Sequence, residues 1–248
     1  MGLLDSAPNA LRAAGLSVVE MPGWLDRGET DGPFYNKGLI LHHDGMGLGF
    51  RGDPSQFFNV PAFMSQNGNN GSQFWVSRYG IWYAMANGRK WHAGTGQGWN
   101  SIPASSGNSY CVGVETDHTI GDPWEQQQLD SIAIGCRALA NEYSYDVDGY
   151  CCGHKEYAPD RKIDPESFDL NAWRAYVKGS TTVTGGFGTM DDATINAKFQ
   201  ALSDKLDSVV KAISIAPADQ TALNVGTIGA ASVAILKDCN TIYNNTKK

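Results

Sequence analysis

The chain has 248 residues and a mass of 26.7 kDa, with hydrophobic residues at 42%, charged residues at 18% and a net charge of -7. That composition excludes a disordered polymer, and the surplus of acid excludes an electrostatic grip on nucleic acid or an anionic membrane surface. A spanning helix needs roughly 18 uninterrupted apolar residues, which the sequence lacks, and Met1 to Glu20 has no basic leader with an apolar stretch, so no export signal is expected.

In chain order, Lys37-Gly38-Leu39-Ile40-Leu41-His42 predicts a short buried strand closed by a Gly-rich turn from Asp44 to Gly49. Ser72 to Ala86 alternates aromatic with polar residues around Arg78-Tyr79-Gly80 and predicts a hairpin. The aromatic set Phe74, Trp75, Trp82, Tyr83 and Trp91 is expected in its core, with Trp99 kept as the candidate wall of a glycan groove. Cys111-Val112-Gly113-Val114-Glu115 predicts another strand, ending in a carboxylate. Asp122 as N-cap, Pro123 at the first helical position and Glu125 at the third predict a helix whose apolar face is Leu129, Ile132, Ala133, Cys136, Leu139 and Tyr143. Strands and helices in this order give an α/β domain, a central sheet with helices against it.

Gly179 to Thr189 has the residues of a flexible linker and no periodicity. Three regions are therefore expected: a domain over 1–178, a linker over 179–192 and a helical region over 193–248. In the last, Ile195, Phe199, Leu202, Leu206, Val209 and Ile213 recur at steps of four and three, the seam of a short coiled coil. Self-association through that seam and an intramolecular hairpin with Thr221 to Ile242 are equal readings of it. Five cysteines, Cys111, Cys136, Cys151, Cys152 and Cys239, form an odd, sparse set expected to stay reduced, with Cys151 and Cys152 as apolar strand filler.

The chemistry-bearing residues are few. Of five histidines, His42 and His43 are strand neighbours pointing to opposite faces, so one of them faces any given site and the other packs or contacts a ligand. His118, in a polar turn, is expected at the surface. Pro159 and Pro165 predict an extended segment in which Lys162 and Asp164 share a face, ten residues after His154. A metal site with an adjacent cation and a surface loop with a salt bridge both satisfy that spacing; Glu115 could simply end its strand in a salt bridge, yet its place after an apolar run with these motifs nearby favours catalysis.

Four motifs stand in one order: Ile40-Leu41-His42, Lys90-Trp91-His92-Ala93-Gly94, Val112-Gly113-Val114-Glu115, and Gly153-His154 followed by Ala158-Pro159-Asp160-Arg161-Lys162-Ile163-Asp164-Pro165. Together they closely resemble the zinc-dependent N-acetylmuramoyl-L-alanine amidases, the family of phage endolysins, bacterial anhydro-muropeptide amidases and animal peptidoglycan recognition proteins. The resemblance runs from about Gly38 to Tyr176, and the last motif is the most specific. It implies a mixed sheet flanked by helices and a Zn²⁺ ion held by His42, His154 and Asp164. Some members have cysteine at the third position; this chain has Asp164 there, an aspartate as in the anhydro-muropeptide branch. It also implies Lys162 as stabiliser of the reacting oxygen and Glu115 as general base. Other members place a tyrosine on the first hairpin strand, where this chain has Ser72, and many have histidine where it has Gln73. His43, His92, Trp99 and Arg161 are the expected substrate contacts. Two imidazoles and a carboxylate leave one coordination position open, the arrangement of a catalytic zinc.

The function so implied is cleavage of the amide between N-acetylmuramic acid and L-alanine in bacterial peptidoglycan. The reading placed first is a phage endolysin held in the host cytoplasm until the membrane is breached. A cytosolic anhydro-muropeptide recycling amidase and a non-catalytic peptidoglycan-binding protein are the alternatives.

Overall fold

The computed structural model describes residues 4–45, 60–66 and 71–179. The expected turn beyond residue 45, the linker beyond Gly179, the heptad-bearing region and Cys239 lie outside the described residues.

Helix α1 (Ala7–Ala13) leads into strand β1 (Val18–Glu20), and β2 (Gly38–Leu41) follows after a long connection. After α2 (Val60–Gln66) comes the expected hairpin, β3 (Phe74–Val76) and β4 (Trp82–Ala84), turning through Ser77 to Ile81. One helical turn, α3 (Gly107–Tyr110), precedes β5 (Cys111–Thr116). Then come the long α4 (Gln126–Tyr143), α5 (Val147–Tyr150), β6 (Cys151–Gly153), α6 (His154–Tyr157) and α7 (Leu170–Val177). The six strands form one sheet in the order β1-β4-β3-β5-β2-β6, with β3 and β4 antiparallel and every other pair parallel. The fold is thus a mixed sheet flanked by helices.

Strand alternation sorts the side chains. Leu39, Leu41, Val112, Val114 and Cys151 face the larger core, which Ile132, Cys136 and Leu139 of α4 and Trp173 of α7 complete. Ile40, Cys111 and Cys152 face the opposite side with Ala93, Ile102 and Tyr157. Continuing that alternation, two residues on from Ile40 and Cys152 and four on from Cys111, puts His42, His154 and Glu115 all on the second face. Their strands β5, β2 and β6 are adjacent and parallel, with Leu41 in register with Val114 and Gly153, so the three residues emerge side by side at the strands' carboxyl ends. Cys111, Cys136, Cys151 and Cys152 are free thiols and fully buried, as expected of apolar filler, and burial pushes the Cys151 thiol up to about 12. No helix among the described residues is long and apolar enough to cross a membrane.

The start of α4 differs from the expected one. Asp122 does not cap it, because its carboxylate is bound to the Arg78 guanidinium; the helix begins at Gln126, and Glu125 at its N-cap makes no side-chain cap bond. The helix packs on the hairpin through Trp82, whose indole N–H donates to Ser131 Oγ at 3.0 Å. Gly135 lies under that ring: a Cβ there would meet Trp82 Cζ2 at 2.2 Å. Gly135→Ala is expected to destabilise the fold by about 3 kcal/mol, despite alanine's better helix propensity, because the buried indole has nowhere to retreat. A urea midpoint equal to or above the wild type's would contradict this.

Candidate metal centre and active site

His42 follows β2, and its backbone is tied on both sides: its N–H donates to the Val114 carbonyl at 2.9 Å, and Thr116 Oγ1 donates to its carbonyl at 2.7 Å. His154 opens α6, a helical turn whose start is braced by Glu156, which accepts from the Gly153 N–H at 2.9 Å and pairs with Arg174 at 2.7 Å. Asp164 arrives on the segment after α6. The sequence predicts an extended segment from Pro159 onward, but its start is turned: the amides of Arg161 and Lys162 both turn back to the Ala158 carbonyl. Asp164 is held by Lys155, whose N–H donates to the Asp164 carbonyl at 2.7 Å.

These three side chains converge. His42 Nδ1 lies 2.8 Å from His154 Nδ1 and 3.2 Å from Asp164 Oδ2, and His154 Nδ1 lies 3.0 Å from the same oxygen. All three residues are buried. The other ring nitrogens decide the tautomers. His154 Nε2 is 2.9 Å from the Ala93 carbonyl, which can only accept, so Nε2 carries the proton and Nδ1 is bare. His92 Nε2 is 3.1 Å from the Cys111 carbonyl, so by the same reasoning His92 Nδ1 is an acceptor. It therefore accepts from His42 Nε2–H at 3.0 Å, leaving His42 Nδ1 bare as well. Two imidazole lone pairs and a carboxylate oxygen thus point at one another with no proton among them. Such a cluster calls for a cation, and the N,N,O donor set suits a divalent metal ion. A proton is a poor substitute: burial, with His154 beside it, lowers His42 to about 4.

Glu115, at the end of β5, is raised well above its ordinary value by burial, with the charges of Asp44 and Asp164 adding to the effect and Lys162 opposing it. Its Oε2 is sealed from solvent and has no hydrogen-bond partner among the described residues. Among the described residues Glu115 makes no strand-end ion pair. Lys162 lies close enough to His42, His43 and Glu115 for its charge to act on all three.

Several residues sit elsewhere than expected. His43 points to the opposite face from His42: its Nδ1 accepts from the Glu166 N–H at 3.2 Å and its ring lies 5.5 Å from that of His118. Both ring nitrogens of His92 are consumed by His42 and Cys111, so the ring offers a substrate neither. Arg161 spends its guanidinium mainly on main-chain carbonyls, donating through Nε to Thr95 at 2.7 Å and through its terminal nitrogen to Ala93 and Thr95; that nitrogen also lies 3.4 Å from His154 Nε2. Trp99 packs on the cluster around Ile40 and Tyr157 and lies 5.1 Å under the Arg174 guanidinium that braces α6. Gln73 is fully buried and structural: its Oε1 accepts from the Gly113 N–H at 2.7 Å and its Nε2 donates to the Gly88 carbonyl at 3.1 Å.

His118 is 0% exposed and not at the surface, because its ring stacks on Trp124 with centroids 3.8 Å apart. Neither ring nitrogen has a hydrogen-bond partner among the described residues, and Glu166 Oε2, at 3.8 Å, is too far. Burial, with His43 and Arg78 nearby, lowers it to about 4. The unfolded chain takes up this proton near its ordinary 6.5 and the fold only near 4, so stability falls as pH drops between those values. His118→Phe keeps the stack and removes the proton. It is expected to lessen the slope of unfolding free energy between pH 4.5 and 6.5 by about 1.4 kcal/mol per pH unit. Urea titrations across that range check this, and an unchanged slope would refute it.

Comparison with known proteins places the chain. It is 32% identical over 103 residues to the 1,6-anhydro-N-acetylmuramyl-L-alanine amidase AmpD of Escherichia coli K12, covering 41% of this chain and 54% of that protein. The chain thus spans about half the length of the curated relative it matches. Among solved structures, it is similar to the endolysin amidase LysCS of Clostridium intestinale (18% identity, 65% of this chain and 95% of that one, TM-score 0.44). It is also similar to AmpD of Citrobacter freundii (23% identity, 68% and 93%, TM-score 0.43). Residues 33–167, over half of the chain, match the family described as N-acetylmuramoyl-L-alanine amidase, and to that family the protein belongs.

Proposed function

We propose that this protein is a zinc-dependent peptidoglycan hydrolase that cleaves the amide between the lactyl group of N-acetylmuramic acid and L-alanine. The observation that carries the reading is the meeting of His42 Nδ1, His154 Nδ1 and Asp164 Oδ2, three lone pairs without a proton, beside a carboxyl group that burial has made basic. His42, His154 and Asp164 would hold a zinc ion, which would supply a Lewis acid and lower the pKa of water toward about 7. Glu115 takes the proton of the attacking water and returns it to the departing amine; its raised pKa suits it to both halves of that exchange. Lys162 supplies positive charge for the developing oxyanion, a contribution of roughly 3–4 kcal/mol for a well-placed donor. The closed shell of bonds around both imidazoles holds their lone pairs on target while this happens.

Mass spectrometry of digested peptidoglycan tests the reaction. A new free L-alanine amino terminus is the expected product; a newly exposed reducing sugar would mark a glycosidase and overturn the reading.

The substrate's form separates two versions. The heptad-bearing region over 193–248 supports an endolysin, since it could tether the enzyme to the wall or join copies of it for avidity, with release from a host cytoplasm after membrane breach. The relative named for an anhydro-muropeptide substrate, together with aspartate as the third donor, favours a recycling amidase instead. Intact cell walls and soluble anhydro-muropeptides offered to the full chain decide between them. Clearance of soluble fragments with walls untouched would sink the endolysin version and leave the amidase.

A further inference from the structure

The segment His92-Ala93 touches both metal-facing imidazoles, through different atoms. The ring of His92 accepts from His42 Nε2–H at 3.0 Å, and the carbonyl of Ala93 accepts from His154 Nε2–H at 2.9 Å. One side chain grips both residues from behind: Asn108 Oδ1, on α3, accepts from the N–H of His92 at 2.9 Å and from the N–H of Ala93 at 2.7 Å. Asn108 is itself only 5% exposed. The grip has no slack. A Cβ on Gly113 would stand 2.6 Å from His92 Cγ, and one on Gly107 would stand 2.7 Å from the Ala93 Cβ, so the segment is pressed onto the sheet at two points.

We infer that Asn108 is a positioning residue for the metal centre: by fixing two consecutive amides it sets the tautomer and aim of both His42 and His154. This rests on the reading of those histidines as metal-facing, and on no direct contact between Asn108 and substrate. Without the oxygen of Asn108 the two amides lose their acceptor, the peptide can rotate, and the acceptors offered to the two imidazoles move together. Outer partners of this kind typically govern metal affinity by about 10- to 100-fold.

The test uses the full chain, with Asn108→Ala as the probe and Asn108→Asp, which keeps an acceptor oxygen, as the rescue. Long-range proton–nitrogen correlation on metal-free protein reads which ring nitrogen of His42 and His154 carries the proton, and a competing chelator reads zinc affinity. The wild type is expected to show Nε2–H at both rings. Asn108→Ala is expected to show mixed tautomers at both and a zinc dissociation constant raised about 10- to 100-fold, with the circular dichroism of the metal-free protein unchanged. Asn108→Asp is expected to restore the tautomers and to bind zinc within a few-fold of wild type. Should Asn108→Ala not fold, Asn108→Ser, whose hydroxyl is too short to span both amides, takes its place with the same expectation. Wild-type tautomers and affinity in the folded alanine or serine variant, or mixed tautomers in folded Asn108→Asp, would overturn the inference. A wild type with Nε2–H tautomers but no zinc affinity would instead refute the metal reading and leave the tautomers to decide on Asn108.

Discussion

Glu115→Gln is expected to lower turnover by about a thousandfold while leaving the zinc content of the protein unchanged. Glutamine keeps the volume and hydrogen-bonding shape of the side chain but can take no proton, and a positioned general base is commonly worth 10²- to 10⁴-fold, so about a thousand is the central figure. The same substitution is expected to stabilise the metal-free protein at neutral pH. Glu115 is raised well above 4.5 by burial and by Asp44 and Asp164 beside it. Below 4.5 both folded and unfolded chains hold the proton; as pH rises, the unfolded chain releases it first, so stability drains until the folded value is passed. Glutamine removes that loss. Denaturant unfolding from pH 4 to 8 in the presence of a chelator reads the difference, while initial rates on purified peptidoglycan read the activity. Retained turnover would move the base elsewhere, and an unchanged pH slope would mean that the carboxyl is ionised in the fold.

His154→Ala removes one of the three donors found among the described residues, and the expected loss is nearly complete. Purified wild type should carry about one zinc per chain by elemental analysis; the variant should carry close to none after dialysis, with activity down by more than about a thousandfold. The wild type should also gain thermal stability with added zinc, because an ion that binds only the folded chain shifts the unfolding equilibrium by mass action, and the variant should not. In the metal-free state the substitution is expected to cost little, since it also relieves the approach of two bare nitrogens 2.8 Å apart. Zinc retained at full occupancy in the variant would show that the ion sits elsewhere.

How much of this the sequence could carry depends on the range of the interaction involved. The strand 38–41 and its histidine, the hairpin and the apolar face of α4 follow from periodicity over a few residues, and all are found. That one of His42 and His43 must turn away also follows from the pleat. Which one turns away needed only the observation that Ile40 and Leu41 are buried on different sides of the sheet, and that is a fact of the tertiary structure. Asp122 was a good helix cap by local rules and lost to Arg78, 44 positions away in sequence. The turn around His118 reads as polar until Trp124 folds over it. Asn108 carried no signal at all, since its partners are two backbone amides that any residues would have supplied.

The two hydrogen-bond relays behind His42 and His154 both end on main-chain carbonyls, those of Cys111 and Ala93. A carboxylate in that place would fill with a proton in acid and let the ring spin; a peptide oxygen has no such weakness at any pH the fold survives. Nor can it be deleted by exchanging the residue that bears it, because every amino acid brings the same atom. Random replacement at those two positions could crowd or loosen the neighbourhood, yet the terminal acceptors would persist. The orientation of the His154 ring is thereby written directly into the path of the backbone, which inheritance alters less readily than any side chain, whereas that of His42 reaches the backbone through the His92 ring.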